Sequence, residues 1–487
     1  MTDKLRPIKY INDPIYGAIG ITELEMKIID TSIFQRLRGL RQLARINYVF
    51  PGAEHSRYVH SLGVLHIMGL MTEHLLKRGD IDEEDAVKMR VAALLHDIGH
   101  YPFSHLGESV YSYCKDIDNG RNFLQMPLNE NSEKLYELCS SHSKSAHHEH
   151  LGKYIVINHR EISDILKENE LDPLEIGEIF TGERGSRNMV YTQLLHSSLD
   201  ADRLDYLLRD SYQTGVKYGM VDLQYLIRLL LITDSCEESG KNKILVCNKK
   251  GQHVIEHFLM SRYFHYSQVI FHKTNIAFEG MIKSMYIKLI QKKKFLFNSL
   301  EEIQENVNED NFLNFNDSFL EVAFQNYYKE ILDNKIPDEE YKELYEMYCK
   351  RIRPKVVFEV KDLYEEESSS KCAILKWILM KNPEKITEIL KTDKWGYQIV
   401  PITIEKIQNH YTLTQKKENY EEDMREAIKL CEIDTKKISY LAEDKLSVIG
   451  KLVNYKSEFI RVYVLENRED SDYRDMRKKI EAIVTSN

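Results

Sequence analysis

The sequence predicts a mainly α-helical protein that ends in a small mixed α/β part. Three observations predict it. Through most of the first 350 residues, apolar side chains recur at three- and four-residue steps, the period of a helix with one buried face. Towards the C-terminus, KVVFEV, QIVPITI and FIRVYV are instead rich in β-branched and aromatic residues. Hydrophobic residues make up 43% and charged residues 30% of the 487, which supplies a core and excludes a mostly disordered chain.

The elements follow in order. Residues 1–23 read as a lead-in, with Asn12, Asp13, Pro14 and Gly17 forming a turn between β-branched residues. Ile28, Ile29, Ile33, Phe34, Leu37 and Leu40 predict a helix from about Glu23 to Leu43. Pro51 and Gly52 break the chain before a helix from about Tyr58 to Lys77. A further helix runs from about Glu83 to Gly99, with VAALL as its buried turn. Residues 107–150 are polar and read as a loop over the site, and 159–230 as helices broken at Gly182, Gly185 and Gly215. KILVCN (243–248) reads as a short strand, 252–292 as a long helical stretch, and 296–350 as acidic and helical with a soft stretch at NEDNFLNFNDS. ESSS (367–370) reads as a loop. The expected divisions are an N-terminal segment 1–50, a core 51–295, a helical acidic extension 296–350 and a mixed region 351–487.

Charge and cysteine usage narrow the class. With 67 Lys+Arg and 77 Asp+Glu the net charge is −10, so duplex nucleic acid is not expected as the main partner. The seven cysteines are widely spaced with no CxxC, which points away from a disulfide framework or a zinc ribbon. MTDKLRPIKY lacks the order of a signal peptide, and no apolar run reaches the ~18 residues of a membrane span. A cytoplasmic protein with no membrane partner is expected.

Histidine carries the chemistry. Of 18 histidines, 11 fall between His55 and His150. RYVHSLGV (57–64) places His60 near a helix start. LLHDIGHYPFSH (94–105) places His96 and Asp97 after an apolar turn, with His100 four residues on and expected on the same helical side. Gly99 and Pro102 then bend the chain, so that His105 can approach the same space. In DADRLDYLLRD (200–210), Asp202, Tyr206 and Asp210 share one helical face with Arg209 beside them. Any one of these residues alone has an ordinary structural reading: a core histidine, a surface charge, a core tyrosine. Together, two imidazoles and two carboxylates suit Mn²⁺, Fe²⁺, Zn²⁺ or Mg²⁺ with positions left open. Such a site hydrolyses a phosphate ester or anhydride, with further histidines as acid or base.

These motifs, with INDPIYGAIG (11–20), DTSIFQRLRGLRQL (30–43) and YVFPGAEHSRYVHSLG (48–63), resemble the HD-domain deoxynucleoside triphosphate triphosphohydrolases. The resemblance is strong over about residues 8–275 and thinner at 351–363 and 456–464. In that family the animal enzyme has a sterile-alpha-motif domain ahead of the core, and none is expected here because the chain begins almost at INDP. The resemblance implies an HD-domain helical core and makes His60, His96, Asp97 and Asp202 the ligands of one divalent metal, with a second Mg²⁺ accompanying the triphosphate. It makes His100, His105 and His148 catalytic, with Glu149 beside His148 and Glu108 where the family has an aspartate. It places Gln42, Leu43, Arg57, Arg203, Tyr206, Asp210, Arg262 and Lys273 on the substrate. Arg203 stands for a lysine, and Ile270 and Phe271 stand for a tyrosine and a glutamine. Lys9, Asp30, Gln35 and Arg38 match positions that hold an activating GTP or dGTP between subunits, although Leu465 replaces a contributing lysine.

The implied reaction converts a dNTP to deoxynucleoside and triphosphate in a homo-oligomer, a dimer or tetramer. The alternatives are a phosphodiesterase or nuclease of the same fold, acting on single-stranded nucleic acid or a signalling nucleotide, and a nucleotide-sensing protein without activity.

Overall fold

The computed structural model describes residues 3–118, 147–182, 189–234, 243–333, 335–365, 375, 397–404, 427–452, 455–464 and 469–485. Gly185, the ESSS segment, most of 107–150 and Leu465 lie outside the described residues. The fold is mainly α-helical with small sheets, as the apolar periodicity predicts.

The lead-in is a hairpin of β1 (Lys9–Asp13) and β2 (Gly17–Ile21). Asp13 Oδ1 turns it by accepting from the backbone N–H groups of Ile15 and Tyr16. Helix α1 (Glu23–Ile29) starts at a capping box between Thr22 and Glu25. The helix expected across 23–43 is interrupted. The Thr31 hydroxyl accepts from Phe34 N–H and starts a separate α2 (Ser32–Gln35), followed by a 3₁₀ turn at Arg36–Gly39. Helix α3 (Arg57–Arg78) ends on Gly79, whose φ of 76° closes it in the left-handed conformation.

Helix α4 (Glu83–Leu95) opens on an Asp82–Asp85 capping box and stops four residues before the expected Gly99. His96 to Gly99 form turns instead, so His96 and His100 do not share a helix face. Two neighbours account for this. The buried Arg36 guanidinium takes the carbonyls of Ile98 and His100. Gly99 meets another backbone so closely that a Cβ there would lie 2.2 Å from both Gly152 N and His148 O.

Helix α5 (His105–Asp118) replaces the first part of the expected 107–150 loop. Leu106, Val110, Tyr111 and Cys114 bury one face, an amphipathic pattern that the polar composition hid. Helix α6 (His148–Asn158) likewise covers the end of that segment. Helices α7 (Arg160–Glu168), α8 (Pro173–Thr181), α9 (Met189–Leu195), α10 (Ala201–Thr214) and α11 (Leu223–Arg228) follow. Gly182 and Gly215 end α8 and α10 with φ of 66° and 76°.

Strands β3 (Leu230–Asp234) and β4 (Lys243–Asn248) pair antiparallel. The expected helix 252–292 divides into α12 (Gln252–His265), a π-helical turn at Tyr266–Ile270, and α13 (Lys273–Gln291), whose first turn is capped by the His272 ring. Helices α14 (Leu300–Glu305), α15 (Asp317–Leu332) and α16 (Glu339–Cys349) form the acidic stretch. Strand β5 (Lys355–Glu365) pairs with β9 (Tyr455–Val464), which pairs with β6 (Tyr397–Ile404), so the three β-type segments make one antiparallel sheet. Strands β7 (Lys429–Glu432) and β8 (Lys437–Tyr440) extend the β3–β4 sheet.

One large apolar core joins the helices from Ile19 to Ile449. A second lies between β5, β9 and the C-terminal helix α18, which spans Asp470–Thr485 and follows the short α17 (Val448–Leu452). Tyr463 packs on Ile276 and Ala277 and so seats the sheet on α13.

Candidate metal and catalytic site

The site is built where α3, the turn after α4, α5, α6 and α10 meet. His60 lies one turn into α3 and is fully buried. Its Nδ1 is 2.7 Å from Asp205 Oδ2 and its Nε2 is 2.9 Å from Asp202 Oδ1, both on α10. His96, at the end of α4, donates from Nδ1 to the Ala93 carbonyl at 2.8 Å. Its Nε2 lies 3.4 Å from Asp97 Oδ1 and 3.7 Å from Asp202 Oδ1. With each Nδ1 engaged, both Nε2 atoms face the Asp97 and Asp202 carboxylates. His60, His96 and Asp97 form a group able to hold a metal ion, and Asp202 borders it from α10. The donor set of nitrogens and oxygens fits a first-row divalent cation.

The electrostatics agree with a cation centre. Burial opposes a proton on His60, yet Asp202 and Asp205 hold its pKa up to about 10. Burial also opposes charge on Asp97, and Arg57, His96 and His100 overcome it and keep the carboxyl well below its usual range. Arg57, 4% exposed, donates from Nη1 to Asp97 Oδ2 at 2.7 Å and from Nε to Ser104 Oγ at 3.0 Å.

A histidine cluster adjoins this centre. The His100 and His148 rings stack at 3.8 Å, and His105 meets both edge-on. His100 Nε2 is 3.1 Å from Asp97 Oδ1. Burial, Arg57 and His148 push the His100 pKa well down, so this ring is neutral. His148 Nδ1 is 3.1 Å from the buried Glu108 Oε2, which also lies 3.3 Å from His105 Nδ1. Burial works against a proton on His148, but Glu108 raises its pKa. Of the HHEH histidines, His148 is the one whose ring is buried here. His147 is a third exposed, and burial lowers its pKa to about 4. Glu149 lies 3.5 Å from His196 Nδ1, whose influence outweighs burial and lowers its pKa to about 2.

The remaining expected residues fall into three places. Gln42 is buried with its Oε1 unpartnered, Leu43 is half-buried next to it, and Gln42 O accepts from Arg57 Nη2. On α10, Arg203 pairs with Asp200 and Ser197 O, and Tyr206 packs on the His265 ring. Asp210 is buried between His55 Nε2 at 2.8 Å and His265 Nε2 at 2.9 Å. Arg262, with Nη1 buried and unpartnered, lies over the Tyr266 ring, and Lys273 begins α13 exposed. Ile270 and Phe271 lie in the turn between α12 and α13.

At the N-terminus, Lys9 and Asp30 are exposed, Gln35 donates to Ile29 O, and Arg38 donates to Gln35 Oε1 while lying 3.6 Å over the Tyr58 ring.

Sequence reasoning missed several contributors. Asp205 fixes His60, and Arg209 grips Asp205 through Nε at 2.8 Å while reaching Asp13 at 2.9 Å. Tyr16 donates to Asp205 Oδ1 at 2.7 Å. The signal was present: Asp205 stands four residues before Arg209 and three after Asp202.

A model of the HD domain matches residues 57–210. An uncharacterised protein of Methanocaldococcus jannaschii is 34% identical over 328 residues, 67% of this chain and 58% of that one. Deoxynucleoside triphosphate triphosphohydrolase SAMHD1 of Homo sapiens is 29% identical over 292 residues, 58% of this chain and 44% of that one. The chain thus spans about half the length of these curated relatives. A crystal structure of a phosphohydrolase from Bacteroides thetaiotaomicron is similar at a TM-score of 0.62 and 25% identity, covering 94% of this chain and 99% of that one. The histidine-and-aspartate centre carried by α3, the turn after α4 and α10 lies wholly within the matched segment, and residues 57–210 are an HD domain.

Proposed function

We propose that the protein hydrolyses deoxynucleoside triphosphates to deoxynucleoside and triphosphate. One observation carries the hydrolytic part. The Nε2 atoms of His60 and His96, each with its Nδ1 tied down, converge on the carboxylates of Asp97 and Asp202. Those four residues would hold the divalent cation, Mn²⁺, Fe²⁺, Zn²⁺ or Mg²⁺. When bound, it polarises a phosphoryl oxygen and lowers the pKa of a water.

The side chains supply the rest. Glu108 holds His148 through Nδ1, which leaves Nε2 to pass a proton to or from the reacting phosphate. The neutral His100 stacks on that ring and fixes its plane. His105, 62% exposed on its side chain, stands at the open side of the cluster where an α-phosphate would enter. Arg203, Arg262 and Lys273 are the cations for the triphosphate, and the unpartnered Gln42 Oε1 is an acceptor for a sugar hydroxyl. Leu43 would crowd a 2′-hydroxyl. The likeness to dNTP triphosphohydrolases supports this substrate, and the likeness to a phosphohydrolase supports the reaction class. On the same ground we assign Lys9, Asp30, Gln35 and Arg38 to an activating guanine nucleotide held between copies of the chain.

The test is incubation with each dNTP and NTP in Mn²⁺ or Mg²⁺, followed by chromatography. Free triphosphate supports the reading. Pyrophosphate with dNMP as the only products refutes the attack geometry, and cleavage of single strands or cyclic dinucleotides alone indicates the nuclease or signalling alternatives. Sedimentation with and without GTP tests the assembly: a fully active monomer indifferent to GTP removes that part.

A further inference from the structure

We infer that Asp317, outside the HD domain, is a positioning residue for the site: it fixes the turn that joins His100 to His105 and, through Arg41, Ser104 and Arg57, the Asp97 carboxylate. The inference builds on the metal-site reading above for one of its readouts and is independent of it for the other.

The turn needs an outside partner. Phe103 and Ser104 adopt φ of 61° and 54°, a left-handed pair that ordinary side chains disfavour. That pair reverses the chain after Pro102, so the His105 ring returns to within 5.1 Å of the His100 ring. A backbone held in this conformation persists only when its surroundings over-determine it. Asp317 supplies the constraint from the first turn of α15. Its Oδ1 accepts from Phe103 N–H at 2.8 Å, and its Oδ2 accepts from Arg41 N–H at 3.0 Å. The same Arg41 peptide strand takes the next link, because Ser104 Oγ donates to Arg41 O at 2.7 Å. Ser104 Oγ then accepts from Arg57 Nε at 3.0 Å, and Arg57 Nη1 holds Asp97 Oδ2 at 2.7 Å. Arg41 enters this path through its backbone, and the side chains of Asp317, Ser104, Arg57 and Asp97 are each at least nine-tenths buried, so water cannot replace a lost link cheaply.

The opposite end of the turn is held from outside as well. Arg36 donates to Ile98 O at 2.7 Å and to His100 O at 3.1 Å, and the same guanidinium donates to Phe315 O at 2.8 Å. Phe315 is two residues before Asp317, so one short segment at the start of α15 braces the turn at both ends. The hydrogen bonds of Asp317 go to the Phe103 and Arg41 peptide groups, with the Arg41 guanidinium 4.0 Å away, and not to the reacting region, which makes its role one of placement.

The test compares Asp317→Ala and Asp317→Asn with the full-length parent. Asn keeps the volume and one acceptor, and it alone decides should the alanine variant fail to fold. Hydrogen exchange of the peptide covering 98–104 and of the Arg41 amide should quicken while the rest of the chain exchanges as before. Mn²⁺ affinity, read by titration calorimetry, should weaken by about 10- to 100-fold in Asp317→Ala, the usual effect of losing an outer partner of a metal site. The Asn variant should lie between parent and alanine, and turnover of a dNTP should lose kcat with little change in KM. Unchanged exchange in 98–104 together with unchanged Mn²⁺ affinity in a folded variant overturns the inference. So does exchange that quickens evenly along the whole chain. A parent protein that binds no Mn²⁺ and cleaves no dNTP defeats the metal reading instead, and leaves the exchange comparison to decide the role of Asp317.

Discussion

Asp205 Oδ2 stands 2.7 Å from His60 Nδ1, and the two residues are joined across 145 positions of sequence with no exposure of either side chain. The carboxylate accepts from Nδ1–H and directs Nε2 at Asp97 and Asp202. It is itself held by Arg209 and Tyr16, while Arg209 outweighs burial and keeps its pKa low. Asp205→Asn should keep the fold and weaken Mn²⁺ binding by about 10- to 100-fold. Calorimetric titration of the purified variant checks it, and parent-like affinity would remove Asp205 from the site.

Gly63 makes that pairing sterically feasible. A Cβ at this position of α3 would lie 1.9 Å from Asp205 Oδ1 and 2.4 Å from Arg209 Nη2. Neither group can retreat, since both are buried and bonded to each other. Gly63→Ala, normally favourable within a helix, should here cost about 1–3 kcal/mol through overpacking. Thermal melting decides: a variant as stable as the parent, or more so, contradicts the crowding.

His148 and Glu108 predict a separation of metal from chemistry. His148→Ala removes the ring whose Nδ1 Glu108 holds, while its nearest metal-site contact, Nε2 to Asp97 Oδ1, is 4.0 Å away. Bound metal should remain, and dNTP turnover should fall by about 10²- to 10⁴-fold. His96→Ala or Asp97→Ala should lose metal and turnover together. Elemental analysis beside rate measurements separates the cases; full activity in metal-free Asp97→Ala would sink the assignment of that carboxylate.

Residues that carry local signals were legible in the sequence. An adjacent His-Asp after an apolar turn, a histidine at a helix start and an aspartate on a later helix mark His60, His96, Asp97 and Asp202, and the chain brings these four together. The three β-type segments were equally plain, because strand composition is local. What escaped is non-local. The helix that carries VAALL stops at Leu95, and Arg36, some sixty residues earlier, takes the Ile98 and His100 carbonyls of the turn that follows. Helix α5 was hidden because its buried stripe sits among polar residues. Asp317 lies in no motif, and the motifs holding Asp13, Tyr16 and Arg209 do not show what these residues hold; each matters through a partner far away in sequence.

Glu279 on α13 receives a hydrogen bond from Asn275 Nδ2 at 2.9 Å, beside the junction with the C-terminal sheet. Burial raises its pKa from 4.5 to about 7, against the opposing pull of Asn275 and Lys283. Below pH 4.5 the carboxyl is protonated whether the chain is folded or not. Between 4.5 and about 7 the unfolded chain loses this proton while the folded chain keeps it. The folded state then binds more protons, so stability declines as pH rises through this window and levels off above it. The contribution is at most about 3 kcal/mol, and less because the side chain retains some solvent contact. Glu279→Gln stays neutral throughout and should escape the decline. Its melting temperature, close to the parent's at pH 5, should therefore exceed the parent's at pH 7.5. Melting curves that shift in parallel between those two pH values would show that Glu279 titrates as an ordinary carboxylate.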